Sequence, residues 1–321
     1  ATGSKTDNAI VEQCMQFAKK GYVAVALSYR LGWNATSDNE DVRRRTLIQA
    51  ALRGLQDTRT AVRFLRKSME DGNPYGISGK MVVGGLGTGG YVSLAAATLN
   101  DYESELLLAK FIDTSMDIDG DGIPDEVPYI IPEYLGNLDG TSTGILPSLD
   151  LDGDGIPEAT DVTLCTPNHV GYSSEIDIAF NIGGALLDSS WVNIGEPAVA
   201  SMHCYLDVGA PYEIGEIFLE NVLSDNIMDD FEAHGSLVVQ RLSSEYGNND
   251  VFNGLSMEIN DPWYGNGDGA ANSGLQVQAE AFGGPLFYPD GNPVWLFEGH
   301  DVYPGLFPIV APTGDQLTAD Y

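Results

Sequence analysis

Met81-Val82-Val83-Gly84-Gly85 runs straight into Leu86-Gly87-Thr88-Gly89-Gly90 and then into an Ala-rich stretch over 91–100. A short apolar run, a glycine-dense turn and a helix former in that order predict strand, tight turn and helix. That unit leaves few folds open. A strand that passes directly into a helix returns to its sheet as a parallel crossover, so the chain reads as α/β rather than all-α or all-β.

The neighbouring segments keep the same rhythm. Ile10, Val11, Cys14, Phe17 and Ala18 recur at helical spacing over 5–20, and Lys19-Lys20-Gly21 is a helix stop. Tyr22 to Tyr29 is nearly continuous in apolar residues, as expected of a parallel strand covered on both faces. A long helix fits 43–70, with Leu47, Ala51, Leu55, Ala61, Val62 and Leu65 inward and Asp71-Gly72-Asn73-Pro74 as its breaker. Ile176 to Ile182 and Ala198 to Tyr205 read as strands, and 214–224 and 234–246 as helices. Two segments depart from the alternation: 113–162 is acidic and loop-like, and 250–321 is rich in Gly, Asn, Pro and aromatics.

Charge excludes whole classes of partner. Asp and Glu number 47 against 15 Lys and Arg, a net charge of −32. Such a surface repels phosphate, which excludes a general nucleic-acid binder and disfavours anionic membranes. No run of 18 apolar residues exists, so no membrane span is expected. Cys14, Cys165 and Cys204 are too few for a disulfide scaffold.

The acidity is concentrated in a repeat. Asp117-Ile118-Asp119-Gly120-Asp121-Gly122-Ile123-Pro124-Asp125 recurs as Asp150-Leu151-Asp152-Gly153-Asp154-Gly155-Ile156-Pro157-Glu158. Carboxylates at positions 1, 3, 5 and 9 can converge on one cation. Glycine at 6 permits the turn, and the carbonyl of residue 7 (Ile123, Ile156) completes a shell of hard oxygen ligands suited to Ca²⁺. Asp161 closes the second copy at position 12, where the first has Pro128. These loops resemble thrombospondin type 3 repeats, common in secreted bacterial proteins. The resemblance implies bound calcium, an extracellular or cell-surface setting, and a structural role for the metal.

A second resemblance covers about 5–105 and 172–246. Gly21-Tyr22-Val23-Ala24-Val25-Ala26-Leu27-Ser28-Tyr29-Arg30-Leu31-Gly32, Gln56 to Leu65, Asn73 to Gly90, and Ala200 to Tyr212 are together similar to the carboxylesterase branch of the α/β-hydrolases. The likeness implies an α/β-hydrolase fold: a mostly parallel sheet with helices on both faces, interrupted here by a calcium-binding loop insertion. The division it implies is 1–112 for the N-terminal part of the core, lacking its first strands, and 113–162 for the insertion. Residues 163–249 are then the C-terminal part of the core, and 250–321 a loop-rich extension. In this family the strand-to-helix turn reads Gly-x-Ser-x-Gly, so that the serine hydroxyl stands exposed. The flanking residues are present as Gly85 and Gly89, but the nucleophile position is Gly87, which has no side chain with which to form an acyl-enzyme. Thr88 lies one place on. Asp207 matches the family's acid and His300, near the C-terminus, its general base.

The family's oxyanion loop ends a central strand that precedes a segment like Ala1–Asp7. The resemblance therefore implies that something else fills that place: a cleaved N-terminal fragment, a strand from another polypeptide, or sequence preceding Ala1. The expectation is a secreted, calcium-binding hydrolase homologue, inactive for want of a nucleophile, with a binding, structural or assembly role and a possible homo-oligomer. The alternative is an active ester hydrolase with an unusual nucleophile.

Overall fold

The computed structural model describes residues 3–115, 117, 121–148, 160–204, 207, 209–217, 231–252 and 306–309. In chain order its helices are α1 (Asn8–Lys19), α2 (Glu40–Glu70), α3 (Thr88–Thr98), α4 (Tyr102–Glu105), α5 (Pro132–Leu135) and α6 (Ser236–Glu245). Its strands are β1 (Val82–Leu86), β2 (Ile112–Asp113), β3 (Val127–Pro128), β4 (Gly144–Leu146), β5 (Val162–Cys165), β6 (Ile178–Ile182), β7 (Ala198–Cys204), β8 (Ile214–Glu216), β9 (Glu232–His234) and β10 (Leu306–Ile309). The content is mixed α/β, with one small all-parallel sheet in the order β1-β6-β7-β10. The chain divides into two compact units: Ala1–Met81 with Leu99–Ile176, and Val82–Thr98 with Asp177–Tyr321.

The first unit is organised by α2, 31 residues and about 46 Å long. Asn39 caps it by accepting the Val42 N–H at 3.3 Å, and Glu40 and Asp41 favour its positive end. Gly72 and Asn73, both at positive φ, end it. Its buried side is only partly the expected apolar one. Leu55 and Val62 are buried, but Leu47, Ala51, Ala61 and Leu65 are half-exposed, and Gln56, Arg59 and Arg63 are buried in their stead.

The reason lies in what surrounds the helix: loops whose carbonyl oxygens lack sheet partners and need donors. Gln56 Nε2 donates to the carbonyls of Leu135 and Asn137, each at 2.9 Å. Arg59 Nη2 reaches the Leu99 carbonyl at 2.7 Å and its Nη1 pairs with Asp139 at 3.1 Å. Arg63 Nε donates to the Asn168 carbonyl at 3.2 Å, and Arg66 Nη2 to that of Glu175 at 2.7 Å. Burial pulls the Arg59 and Arg63 pKa values down, and Asp139 opposes it. Around these bonds Phe111, Tyr129, Ile130 and Leu135 form the unit's core.

Two sequence expectations are corrected. Tyr22–Tyr29 forms no strand. Among the described residues, Val23–Ser28 make no backbone–backbone hydrogen bond, and Tyr22, Val23, Val25 and Leu27 are exposed. A strand exists only by pairing, and apolar content alone does not supply a neighbour. Residues 214–224 do not open as a helix. Ile214–Glu216 is β8, antiparallel to β9, with Ile214 paired to His234. Three residues are too few for any period to show, and the pairing with β9 decides the strand; residues 218–224 lie outside the described residues.

In the second unit, β1 passes directly into α3. Val82 is exposed, because among the described residues β1 has only β6 beside it. Gly84 leaves room for the Phe180 ring, which a Cβ there would meet at 2.0 Å. Buried Ser93 of α3 donates to the Gly90 or the Phe180 carbonyl, each at 2.9 Å, fastening helix to strand. On α6, buried Gln240 donates to the Val199 carbonyl at 2.9 Å and the Ser201 hydroxyl at 3.0 Å.

The buried donors of α2 make a stability prediction. Arg59→Leu leaves the Leu99 carbonyl and Asp139 without this donor, and is expected to lower the free energy of urea unfolding by about 2–3 kcal/mol. Arg241→Leu removes only an exposed helix-surface contact with Glu245 and is expected to cost less than about 0.5 kcal/mol.

Candidate functional site

The carboxyl ends of a parallel sheet are where the loops of an α/β protein gather functional groups. Here three loops meet there, all within the second unit. The first is the β1–α3 turn. Residue 87 sits at its apex with φ +56°, and its N–H donates to the Ile182 carbonyl at the end of β6 at 2.8 Å. The turn is tight because its glycines touch: a Cβ on Gly85 would lie 2.2 Å from the Gly89 carbonyl carbon, and one on Gly184 2.5 Å from Gly90. At Gly87 the space is open, with nothing within 4 Å of where a Cβ would stand. The bend is thus the one the sequence predicts, with Gly85 and Gly89 in the close approach and Gly87 bare at its tip. Thr88 is exposed and opens α3.

The second loop follows β6. Asn181, fully buried, accepts from the Gly184 N–H at 2.8 Å and donates to the Gly184 carbonyl and the Ser236 hydroxyl, each at 2.9 Å. Gly183 lies at positive φ, and a Cβ there would stand 3.3 Å from Asp207 Oδ2.

The third loop follows β7 and carries Asp207. Its Oδ1 accepts the N–H groups of Gly209 and Ala210 at 2.9 and 3.0 Å, so the carboxylate caps its own turn while Oδ2 faces Gly183. Tyr91 of α3 donates its hydroxyl to the Gly209 carbonyl at 3.0 Å. Burial and the nearby Asp207 charge keep this phenol protonated well above its usual range.

His203 anchors the same loop from β7. The ring is fully buried, with Nε2 2.8 Å from the Ala210 carbonyl and Nδ1 2.6 Å from the Ser236 hydroxyl. A carbonyl can only accept, so the proton belongs on Nε2 and Ser236 donates to Nδ1. Burial lowers the His203 pKa, opposed by the Ala210 carbonyl and Asp207. The ring is therefore a hydrogen-bonded core residue, as its place in a strand suggests.

The remaining sequence-predicted residues are less completely placed. His300 lies outside the described residues, as do Asp119, Asp150, Asp152, Asp154, Ile156 and Glu158. Of the first acidic loop, Asp117 Oδ2 accepts the Gly122 N–H at 3.0 Å and Asp121 Oδ1 the Ile123 N–H at 2.8 Å, with Gly122 at positive φ. The chain thus curls at position 6 of the repeat, with Ile123 exposed at position 7. Asp125 is half-buried. Asp161 accepts the Ser148 N–H at 2.9 Å. Among the described residues no three His, Cys, Asp or Glu side chains gather closely enough to hold a metal. In the first unit a separate cavity of about 310 Å³ is lined by Arg59, Asn100, Tyr102 and Asp139, but its two charged groups pair with each other.

Sequence reasoning missed Tyr91, Asn181, Gly183 and Ser236. The available signal was Asn181-Ile182-Gly183-Gly184, a polar residue inside an apolar strand followed by paired glycines. No family model matches the chain, and neither a curated protein nor a solved structure matches it.

Two outcomes follow from the geometry. Gly85→Ala forces a backbone clash at 2.2 Å and is expected to cost several kcal/mol. Gly87→Ala enters open space and is expected to cost about 1–2 kcal/mol, from positive φ alone. Urea denaturation of both variants compares them. His203 also sets a pH dependence. Its folded pKa is lowered, so below the ordinary value of about 6.5 the unfolded chain binds the extra proton and stability falls with falling pH. Above that value the histidine contributes no slope. Between pH 7 and pH 5 the loss is expected to be smaller in His203→Gln than in the native protein, measured as the change in unfolding free energy.

Proposed function

We propose that this protein is a secreted, calcium-binding homologue of the carboxylesterase-like α/β-hydrolases that has lost its nucleophile and serves in binding, structure or assembly. The observation that carries the reading is residue 87. It occupies the tip of a strand-to-helix turn at positive φ, with open space before it, where such an enzyme would present its serine. Asp207, in the loop that follows β7, supports the same reading as the candidate for the acid of a triad, whose part is to orient a histidine. His300 is proposed as that histidine. Without a hydroxyl at 87 the imidazole has no proton to take, and the acyl-transfer step has no nucleophile.

The acidic repeat supports the calcium part of the proposal. Asp117, Asp119, Asp121 and Asp125, with the Ile123 carbonyl, would hold one ion. Asp150, Asp152, Asp154, Glu158 and Asp161, with the Ile156 carbonyl, would hold a second. The curl at Gly122 and the outward Ile123 fit this ligand order. Calcium would screen carboxylates that otherwise repel, and its millimolar supply outside cells suits loops of this kind. A strand supplied by a second polypeptide or an N-terminal fragment, completing the sheet, belongs to the same proposal, as does a homo-oligomeric or extracellular assembly.

Hydrolysis of p-nitrophenyl acetate tests the central point. The native protein is expected to show no turnover above buffer, and Gly87→Ser to gain it. Native turnover that disappears in His300→Ala would overturn the reading in favour of an active hydrolase with another nucleophile. Chelation is expected to lower the melting temperature and to open 113–162 to proteolysis. Unchanged melting and digestion after chelation would exclude structural calcium.

A further inference from the structure

The cavity of the first unit is walled by that unit alone: the middle of α2, the chain at Asn100 and Tyr102, and the stretch from Ile130 to Asp139. Its charged groups are already matched within the protein. Arg59, 5 % exposed, commits its guanidinium to Asp139 Oδ1 at 3.1 Å, the Leu99 carbonyl at 2.7 Å and Asn100 Oδ1 at 2.9 Å. Buried Glu105, whose charge also acts on Arg59, accepts the N–H groups of Asn100 and Asp101, each at 2.7 Å. Hydrogen-bonding capacity without net charge is left over along the wall. Asp139 Oδ1 takes both Arg59 and the Ser174 hydroxyl, whereas Oδ2 has no partner among the described residues. A turn closes from the Gly140 N–H to the Asn137 carbonyl at 2.9 Å, and the N–H groups of its central residues, Leu138 and Asp139, make no backbone–backbone hydrogen bond among the described residues. Leu138 is nonetheless only 9 % exposed. Tyr102 gives its proton to the Ile130 carbonyl at 2.8 Å and keeps its oxygen as an acceptor. Groups so enclosed require partners.

We propose that this cavity binds a neutral sugar through its pyranose ring. Three observations select that class. The first is charge. An anion would meet a guanidinium already shared by Asp139 and Asn100, in a chain that carries −32 overall. A cation would meet Arg59 beside the carboxylate it sought. The second is the mixture of groups. Asp139 Oδ2 and the Tyr102 oxygen accept, while the Leu138 and Asp139 N–H groups donate. A hydroxyl does both, so a ring bearing several hydroxyls answers all of them, and Ile130, Pro132 and Leu138 offer apolar surface to its C–H face. The third is size. About 310 Å³ lies at the small end of small-molecule sites, which suits a monosaccharide or the last ring of a longer sugar chain. Arg59 then has a second part to play: by holding Oδ1 it fixes the Asp139 carboxylate, so that Oδ2 meets a ligand already oriented. Asp139, its side chain 46 % exposed, keeps this group within reach of solvent. The inference goes beyond the role proposed above and depends on neither the calcium loops nor residue 87.

Saturation-transfer NMR on the whole chain, with glucose, galactose, mannose and their methyl pyranosides as probes, tests the proposal. Transfer to the ring protons of at least one probe is expected, with a dissociation constant in the millimolar range and no change from low to high ionic strength. A methyl pyranoside that binds as well as its free hexose assigns the site to a chain end, and its exclusion assigns it to the free sugar; either supports the pyranose. Asp139→Asn keeps one oxygen for Arg59 but replaces the accepting Oδ2 by a donor, and is expected to weaken binding at least about tenfold. Tyr102→Phe removes the phenol oxygen and is expected to weaken it about threefold or more, which keeps the proposal testable should the first variant fail to fold. Circular dichroism checks the fold of each. No transfer from any of these sugars at about 50 mM would overturn the proposal. So would binding that is unchanged in the folded variants, which places the sugar elsewhere. Cyclohexanol bound as tightly as the best sugar would show an apolar pocket, and affinity that moves with salt would show an ionic ligand; both overturn it equally.

Discussion

Much of the first unit depends on one kind of bond: a guanidinium or amide on α2 donating to a loop carbonyl. Arg43, Arg44, Arg45, Arg53, Arg59, Arg63, Arg66 and Lys67, eight of the chain's 15 Lys and Arg, lie on this helix. Arg53, Arg59, Arg63 and Arg66 reach the carbonyls of residues 31, 99, 168 and 175, while Gln49 and Gln56 reach those of 129, 135 and 137. Loops with little sheet of their own can be packed only if their buried carbonyls find donors, and a long helix with long polar side chains supplies them in a row. The cost is desolvation of the arginines, visible in the lowered pKa values of Arg59 and Arg63.

The second unit solves a different problem, close approach. Gly84 makes room for Phe180, Gly85 for Gly89, and Gly90 for Gly184, so helix, turn and sheet meet almost backbone to backbone. That compression gives the β1–α3 turn its sharpness and presents residue 87 outward. The polar network of Asn181, His203 and Ser236, joined to the loops after β6 and β7, holds the Asp207 loop beneath it. The arrangement is polar and closely packed, and the residue at its apex has no side chain.

How far this could be read in advance depended on where the controlling interaction lay. The strand–turn–helix at 82–98 was legible because glycine spacing and apolar runs are local signals. The helices 8–19, 40–70 and 236–245 were legible from periodicity and caps. The buried face of α2 was not, since Gln56, Arg59 and Arg63 look like a solvated face until loops distant in sequence come to claim them. Val23 to Ser28 misled for the complementary reason: composition records a preference for burial, whereas pairing needs a neighbour. The start of 214–224 misled because a three-residue strand leaves almost no periodic trace. At the site, Gly85, Gly87, Gly89 and Asp207 were readable, while Tyr91, Asn181 and Ser236 entered only through tertiary contacts.

The account turns on the absence of a reactive hydroxyl at the tip of that turn. Exposure of the whole protein to a fluorophosphonate, followed by intact-mass measurement and peptide mapping, tests it most directly. The native chain is expected to remain unmodified, and Gly87→Ser to take up one phosphonyl group at position 87. A stoichiometric adduct on any serine or threonine of the native chain would contradict the account.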